Sequence, residues 1–144
     1  MRFLSPSASK SREKSEAGTA GAPVSYESVL RLESKVLPGV RFSINRISFG
    51  RRMELSRRVR EITQKVEFLE AGSELHEKIE AGMLAQEVDA MYLRWALVAV
   101  DGLQIDGEAA TAEQLLDRGP DELTREIVLA IKAQCGLSDT ERKN

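Results

Sequence analysis

Cysteine and histidine each occur once in the 144 residues, as Cys135 and His76. A single thiol excludes an internal disulfide and a thiolate metal cluster, and it favours a reducing compartment. A single imidazole excludes the zinc-protease helix that His76-Glu77 first suggests, because Glu80 stands where the second histidine has to be. Aromatic residues make up only 5% of the chain and hydrophobic ones 42%, against 31% charged. That profile suits a thin helical protein better than a deep-cored enzyme. No run approaches the roughly 18 apolar residues of a membrane span, and the first two dozen residues lack the apolar stretch of a secretory signal. The expectation is a soluble cytoplasmic protein.

Reaction chemistry is just as scarce. Glycines are scattered, with no phosphate-cradling loop, and Phe49-Gly50-Arg51-Arg52 at a helix start is a weak anion signal beside the plainer reading of a flexible lead-in. Asp101 and Asp106 both precede glycine, where Asp serves local turn hydrogen bonds, and nothing in their surroundings would split their pKa values for acid–base work. Cys135 has no histidine near it to activate it and reads as a small buried hydrophobe. No catalytic, metal-binding or cofactor-binding residue emerges, so the chain reads as a non-enzyme with no cofactor.

What the sequence does contain is helical patterning. Across residues 73–107, Leu75, Ile79, Met83/Leu84, Val88, Met91/Tyr92 and Trp95 recur at steps of three and four, the repeat of a helix with one apolar stripe. After Trp95 the pattern shifts to an extended passage with two turn signals, Asp101-Gly102 and Asp106-Gly107. Upstream, Ser48 opens another helix whose Leu55, Val59, Ile62, Val66 and Leu69 are spaced 4-3-4-3, a coiled-coil-like seam. Gly72 closes that helix and Ser73 is the natural cap of the next, which predicts an antiparallel helical hairpin.

The flanks are simpler. Val40, Phe42 and Ile44 alternate with polar residues as in a half-buried strand, after a Leu37-Pro38-Gly39 turn, and Val29, Leu30, Leu32 and Val36 supply a less regular partner strand. Thr111 to Gln114 is a capping box for a short helix ended by Gly119. Pro120 starts a last helix, with Asp121 and Glu122 in its first turn. Ser138 to Glu141 is one more capping box, with almost nothing after it. The expected architecture is mainly α: a helical hairpin plus two C-terminal helices, with a small N-terminal β-hairpin. Residues 1–23 form a disordered arm and 24–144 a single domain, divided into a β-hairpin (24–47), a helical core (48–135) and a frayed tail (136–144).

Two side-chain groups invite a binding role. Seven arginines against one acid, Glu54, crowd residues 41–60, while 101–144 hold ten acids against five bases. Arg51, Arg52, Arg57, Arg58 and Arg60 form a basic patch on the first helix. No base-reading aromatic set is interleaved with it and the pI is acidic, so contact with a protein partner or another subunit is favoured over nucleic acid. Tyr92 and Trp95 read either as interface anchors or as core packed against the first helix.

The stretch YLRWALVAVDGLQIDGEAATAEQLLDRGPDELTREIVLAIKAQCGLSDTERKN resembles the tail assembly chaperones of long-tailed bacteriophages and prophages. In that family a helix with an aromatic near its end leads to a V-x-G-(hydrophobic) passage, here from Val100 to Leu103. A short helix of the ALLDxxP type follows, here 112–120, then a terminal helix, here 121–135. LPGVRFSI is similar to the family's N-terminal extended segment, so the likeness covers residues 36–144. It implies a non-enzymatic helper in the bacterial cytoplasm. Such a helper coats the apolar tape-measure protein and presents it to tail-tube subunits. A homo-oligomer is a separate expectation, since the arginine cluster suits contact with another subunit. The family has no invariant site to transfer. The surface expected to be shared between core and partner is Val59, Ile62, Val66, Met91, Tyr92 and Trp95. The rival expectation is a structural or adaptor subunit of a tail or similar assembly.

Overall fold

The structure is a computed structural model that describes residues 21–136. Residues 1–20 of the expected arm over 1–23, residues 137–144 of the expected tail over 136–144, and the capping box at Ser138 lie outside the described residues. Strand β1 (Val29–Glu33) and strand β2 (Arg41–Asn45) pair antiparallel as the expected hairpin. Helix α1 (Phe49–Glu70) and helix α2 (Leu75–Ala96) pack on each other as an antiparallel pair of 22 residues each. At 1.5 Å per residue each helix is roughly 33 Å long. Strand β3 (Leu97–Asp101) follows, then the two-residue strands β4 (Gln104–Ile105) and β5 (Glu108–Ala109), helix α3 (Ala112–Arg118) and helix α4 (Asp121–Gln134).

The hairpin is not left alone. Strand β3 runs directly out of α2, because Leu97 already has extended φ and ψ of -74° and 125°. It pairs antiparallel with β2, making a three-stranded sheet in the order β1-β2-β3. The register slips between Ser43 and Ile44, so Val98 is left over as a bulge and faces solvent. Central β2 is covered on both faces: Ser43, expected on the open side of an alternating strand, is buried along with Phe42 and Ile44. The stretch expected to be helical core is therefore interrupted by three strands.

Glycine matters at two turns. Asp106-Gly107 joins β4 to β5 with φ of 52° and 82°, the paired positive values of a two-residue type I′ hairpin loop. Gly102, at φ 84°, also lies against the β1–β2 turn, where an added Cβ would stand 2.5 Å from the Gly39 carbonyl oxygen. Asp106-Gly107 thus forms the turn its chemistry demands, whereas Asp101 ends β3 and the chain bends at Gly102.

Caps follow the sequence closely. Ser48 Oγ accepts from the Arg51 amide at 3.2 Å, and Thr111 and Gln114 exchange the two bonds of a capping box. One expected cap differs: Glu74, not Ser73, holds the N-cap of α2, and the Glu77 carboxylate accepts from its backbone N–H at 3.3 Å. Pro120 sits at the cap position of α4, one place before the first turn.

The core gathers at one end of the α1–α2 hairpin. Phe42 and Ile44 from β2, Leu93 from α2, and Leu123, Ile127 and Ile131 from α4 are its fully buried members. Helix α4 is tied down by polar contacts: Glu126 accepts from Ser34 Oγ at 2.6 Å and from the Lys35 amide at 2.7 Å, and Lys132 meets Asp89 at 2.6 Å. Farther along the hairpin burial thins out. Beyond the core end α1 buries only Leu69 and α2 only Ala81 fully, so the two helices project as an arm.

Candidate functional site

The sequence shows α2 as one apolar stripe; the structure divides that stripe in two. Ala81 and Tyr92 are buried and Val88 is partly covered on the side that meets α1 and the core. Leu75, Ile79 and Met83 are left uncovered and are 72%, 56% and 62% exposed. A helix packed against a single neighbour can bury only one side, and along the arm α2 has only α1.

Met83 opens into a groove of about 750 Å³ between the two helices, lined by Arg58, Ile62, Met83, Glu87, Met91 and Trp95 among others. Ile62, Met91 and Trp95 of the expected partner surface are thus brought to one place. Val59 and Val66 lie partly buried on the seam between the helices. Tyr92 does not belong to any open surface: it is 2% exposed and part of the core, with Lys132 Nζ 5.8 Å from its ring centre. Of the two readings of Tyr92, core packing is the one realised. Leu75 and Ile79 were missed as surface residues because periodicity alone does not say which of two adjacent helical stripes finds a neighbour.

Charged groups rim the groove. Arg94 Nε donates to Glu113 Oε1 at 2.6 Å, fastening α2 to α3. That hydrogen bond holds the Glu113 carboxyl below its ordinary range and raises Arg94 above its own. Arg58 pairs with Glu54 at 2.8 Å, one turn back on the same helix.

The basic patch on α1 is broken up. Arg51 lies over the Trp95 ring at 4.5 Å, and its Nη2 donates to the Trp95 carbonyl at 3.2 Å. Arg52 Nη1 donates to the carbonyl of Cys135, at the C-terminal end of α4 where cations are favoured. These two arginines hold the fold together. Arg57 and Arg60 remain exposed, with no hydrogen bond or ion pair among the described residues. Four acids of the C-terminal half pair elsewhere within the chain: Asp106 and Asp117 with Arg118, Asp121 with Arg125, and Glu113 with Arg94.

Cys135 is buried, and its thiol is pushed up by burial, with nearby Arg52 opposing weakly, so it is protonated and packs as a hydrophobe. His76 is exposed on the first turn of α2. Among the described residues no group of three or more His, Cys, Asp or Glu side chains is placed to hold a metal ion, and no helix is long and apolar enough to cross a membrane. Comparisons with protein-family models, with curated proteins and with solved structures return no match to this chain.

Proposed function

We propose that this protein is a non-enzymatic tail assembly chaperone, which holds the helical tape-measure protein during phage or prophage tail morphogenesis. The observation that carries this reading is the projecting arm with its open groove. Met83, Met91 and Ile62 line an open channel between the two helices. Methionine side chains are flexible and polarizable, so such a channel can take many unlike apolar helix faces in succession. A long tape-measure helix presents such faces, and the arm end of α2 extends the contact through Ile79 and Leu75. The sequence likeness described above supplies the identity of the client.

Co-expression tests the proposal. A tape-measure segment that is insoluble alone moves to the soluble fraction when this chain is present, and the effect is lost with Ile62→Asp combined with Met83→Asp. A client whose solubility is indifferent to this chain removes the reading. One observation favours the rival adaptor role: the outer edge of β1 has no strand partner among the described residues, so it can accept a strand from a neighbouring subunit. An adaptor stays in purified particles and a chaperone is absent from them.

A further inference from the structure

The groove uses one side of α1, and another side of that helix carries a patch of its own. Phe49, Met53, Arg57 and Arg60 follow at steps of four, four and three, so they share one helical face. All four are exposed, Phe49 at 83% and Met53 at 46%, and none lines the groove. Every other described arginine lies over a ring, donates to a carbonyl or pairs with an acid. Arg57 and Arg60 alone have no such partner among the described residues. Glu61 stands four residues after Arg57 without pairing to it; base before acid is the weaker order on a helix. Two apolar side chains and two guanidinium groups are thus held side by side, and the described residues leave them uncovered.

We propose that this face of α1 is a second docking surface, which takes an acidic amphipathic helix from another protein. Phenylalanine, methionine and arginine are residue types enriched where proteins meet. The patch is about 17 Å long from Phe49 to Arg60, so three turns of a partner helix cover it. Laid antiparallel to α1, that helix sets carboxylates of its first turn against Arg57 and Arg60, where its own dipole also favours them. Its apolar side chains two turns on then meet Met53 and Phe49. A longer polyanion fits badly. Beyond Arg60 the same helix carries Glu67 and Glu70, and Glu74 and Glu77 follow across the turn. A nucleic-acid backbone or an anionic membrane lying along the arm meets those carboxylates, whereas a three-turn helix stops short of them. So small a contact is transient and weakened by salt. Because patch and groove occupy different sides of α1, the arm can hold two partners at once. The proposal stands independently of what fills the groove.

A synthetic probe tests this on the full chain. It is a stapled three-turn helix with glutamates three residues apart near its start and leucines four apart near its end. Amide NMR shifts on adding the probe are expected over residues 49–60 and not at Met83 or Met91. The shifts vanish at high salt, and affinity falls roughly tenfold or more when both glutamates are replaced by glutamine. Arg57→Gln with Arg60→Gln causes the same loss, and Phe49→Ser weakens binding while leaving its salt dependence. These side chains are exposed, so circular dichroism of the variants matches that of the unaltered chain. Shifts confined to the groove overturn the proposal, as does equal binding of the glutamine probe or no binding at all. Anionic phospholipid vesicles and a DNA duplex are the rival occupants. Saturable binding of either through Arg57 and Arg60, with the probe unbound, also overturns it. No client is present in these experiments, so they leave the client reading untouched.

Discussion

The guanidinium of Arg51 lies 4.5 Å from the centre of the Trp95 ring while donating a 3.2 Å hydrogen bond to the carbonyl of the same residue. The first turn of α1 is thereby clamped to the last turn of α2, at the point where α2 becomes β3. The clamp uses both properties of arginine, a planar face for stacking and a fork of donors for the backbone.

Arg51→Ala is expected to cost about 1–3 kcal/mol, combining a partly desolvated cation–π contact with a hydrogen bond to a helix-end carbonyl. Arg51→Lys keeps the charge but loses the planar stack, and falls between the two. Urea unfolding followed by Trp95 fluorescence measures both. A native-state emission unchanged by Arg51→Ala would show that the stack does not exist in solution.

The two Asp-Gly pairs differ in what surrounds them, so the same substitution separates them. Gly107→Ala meets open space and bears only the strain of a positive φ, about 1–2 kcal/mol. Gly102→Ala bears that strain and also drives a Cβ onto the Gly39 carbonyl, which is backbone and cannot turn aside. It is expected to lower the melting temperature several degrees further than Gly107→Ala. Equal losses at the two sites would remove the close approach between the β1–β2 turn and Gly102.

The Arg94–Glu113 pair has a pH signature. The hydrogen bond from Arg94 depresses the folded-state pKa of Glu113, so its contribution is present above the ordinary glutamate value. That contribution is lost as pH falls through the depressed folded value. Both groups are solvent-exposed, so the stability effect is small and the titration itself is the better readout. Carbon-detected NMR of the Glu113 carboxyl should show a midpoint below that of the other exposed glutamates. In Arg94→Ala that midpoint returns to the ordinary range. A Glu113 midpoint that ignores Arg94→Ala counts against the contact.

Core and arm residues of similar size are expected to respond in opposite ways. Leu93→Ala, at a fully buried position, costs about 2–5 kcal/mol. Met83→Ser or Ile79→Ser, on the open stripe, leaves monomer stability within about 0.5 kcal/mol. Denaturation at low protein concentration isolates the monomer term. A large loss at Ile79 under those conditions would mean that the stripe is buried within the chain itself.

Much of this fold is written locally. The 4-3-4-3 spacing of Leu55 to Leu69 is enough to specify an amphipathic helix. Short connection between two such helices makes them antiparallel, whatever they later touch. Ser48, Thr111 and Gly119 end or start helices through bonds to residues within one turn, so their roles can be read without knowing the fold. Asp106-Gly107 makes its hairpin for the same reason, since only a few residue pairs accept two successive positive φ values. The groove, by contrast, was legible only in part. Ile62, Met91 and Trp95 stand out by type, but whether each faces a neighbour or water depends on chain segments far away.

The sequence by itself determined most of the helix and turn boundaries, because capping, periodicity and backbone preference act over a few bonds. Tertiary structure alone decided that β3 joins the N-terminal hairpin and that Arg51 and Arg52 are fasteners rather than a free basic patch. It also decided that Tyr92 goes inward while Leu75, Ile79 and Met83 stay outward. Those outcomes rest on contacts between residues 44 to 83 positions apart. Two stripes on one helix look alike in sequence until one of them meets a neighbour and the other does not.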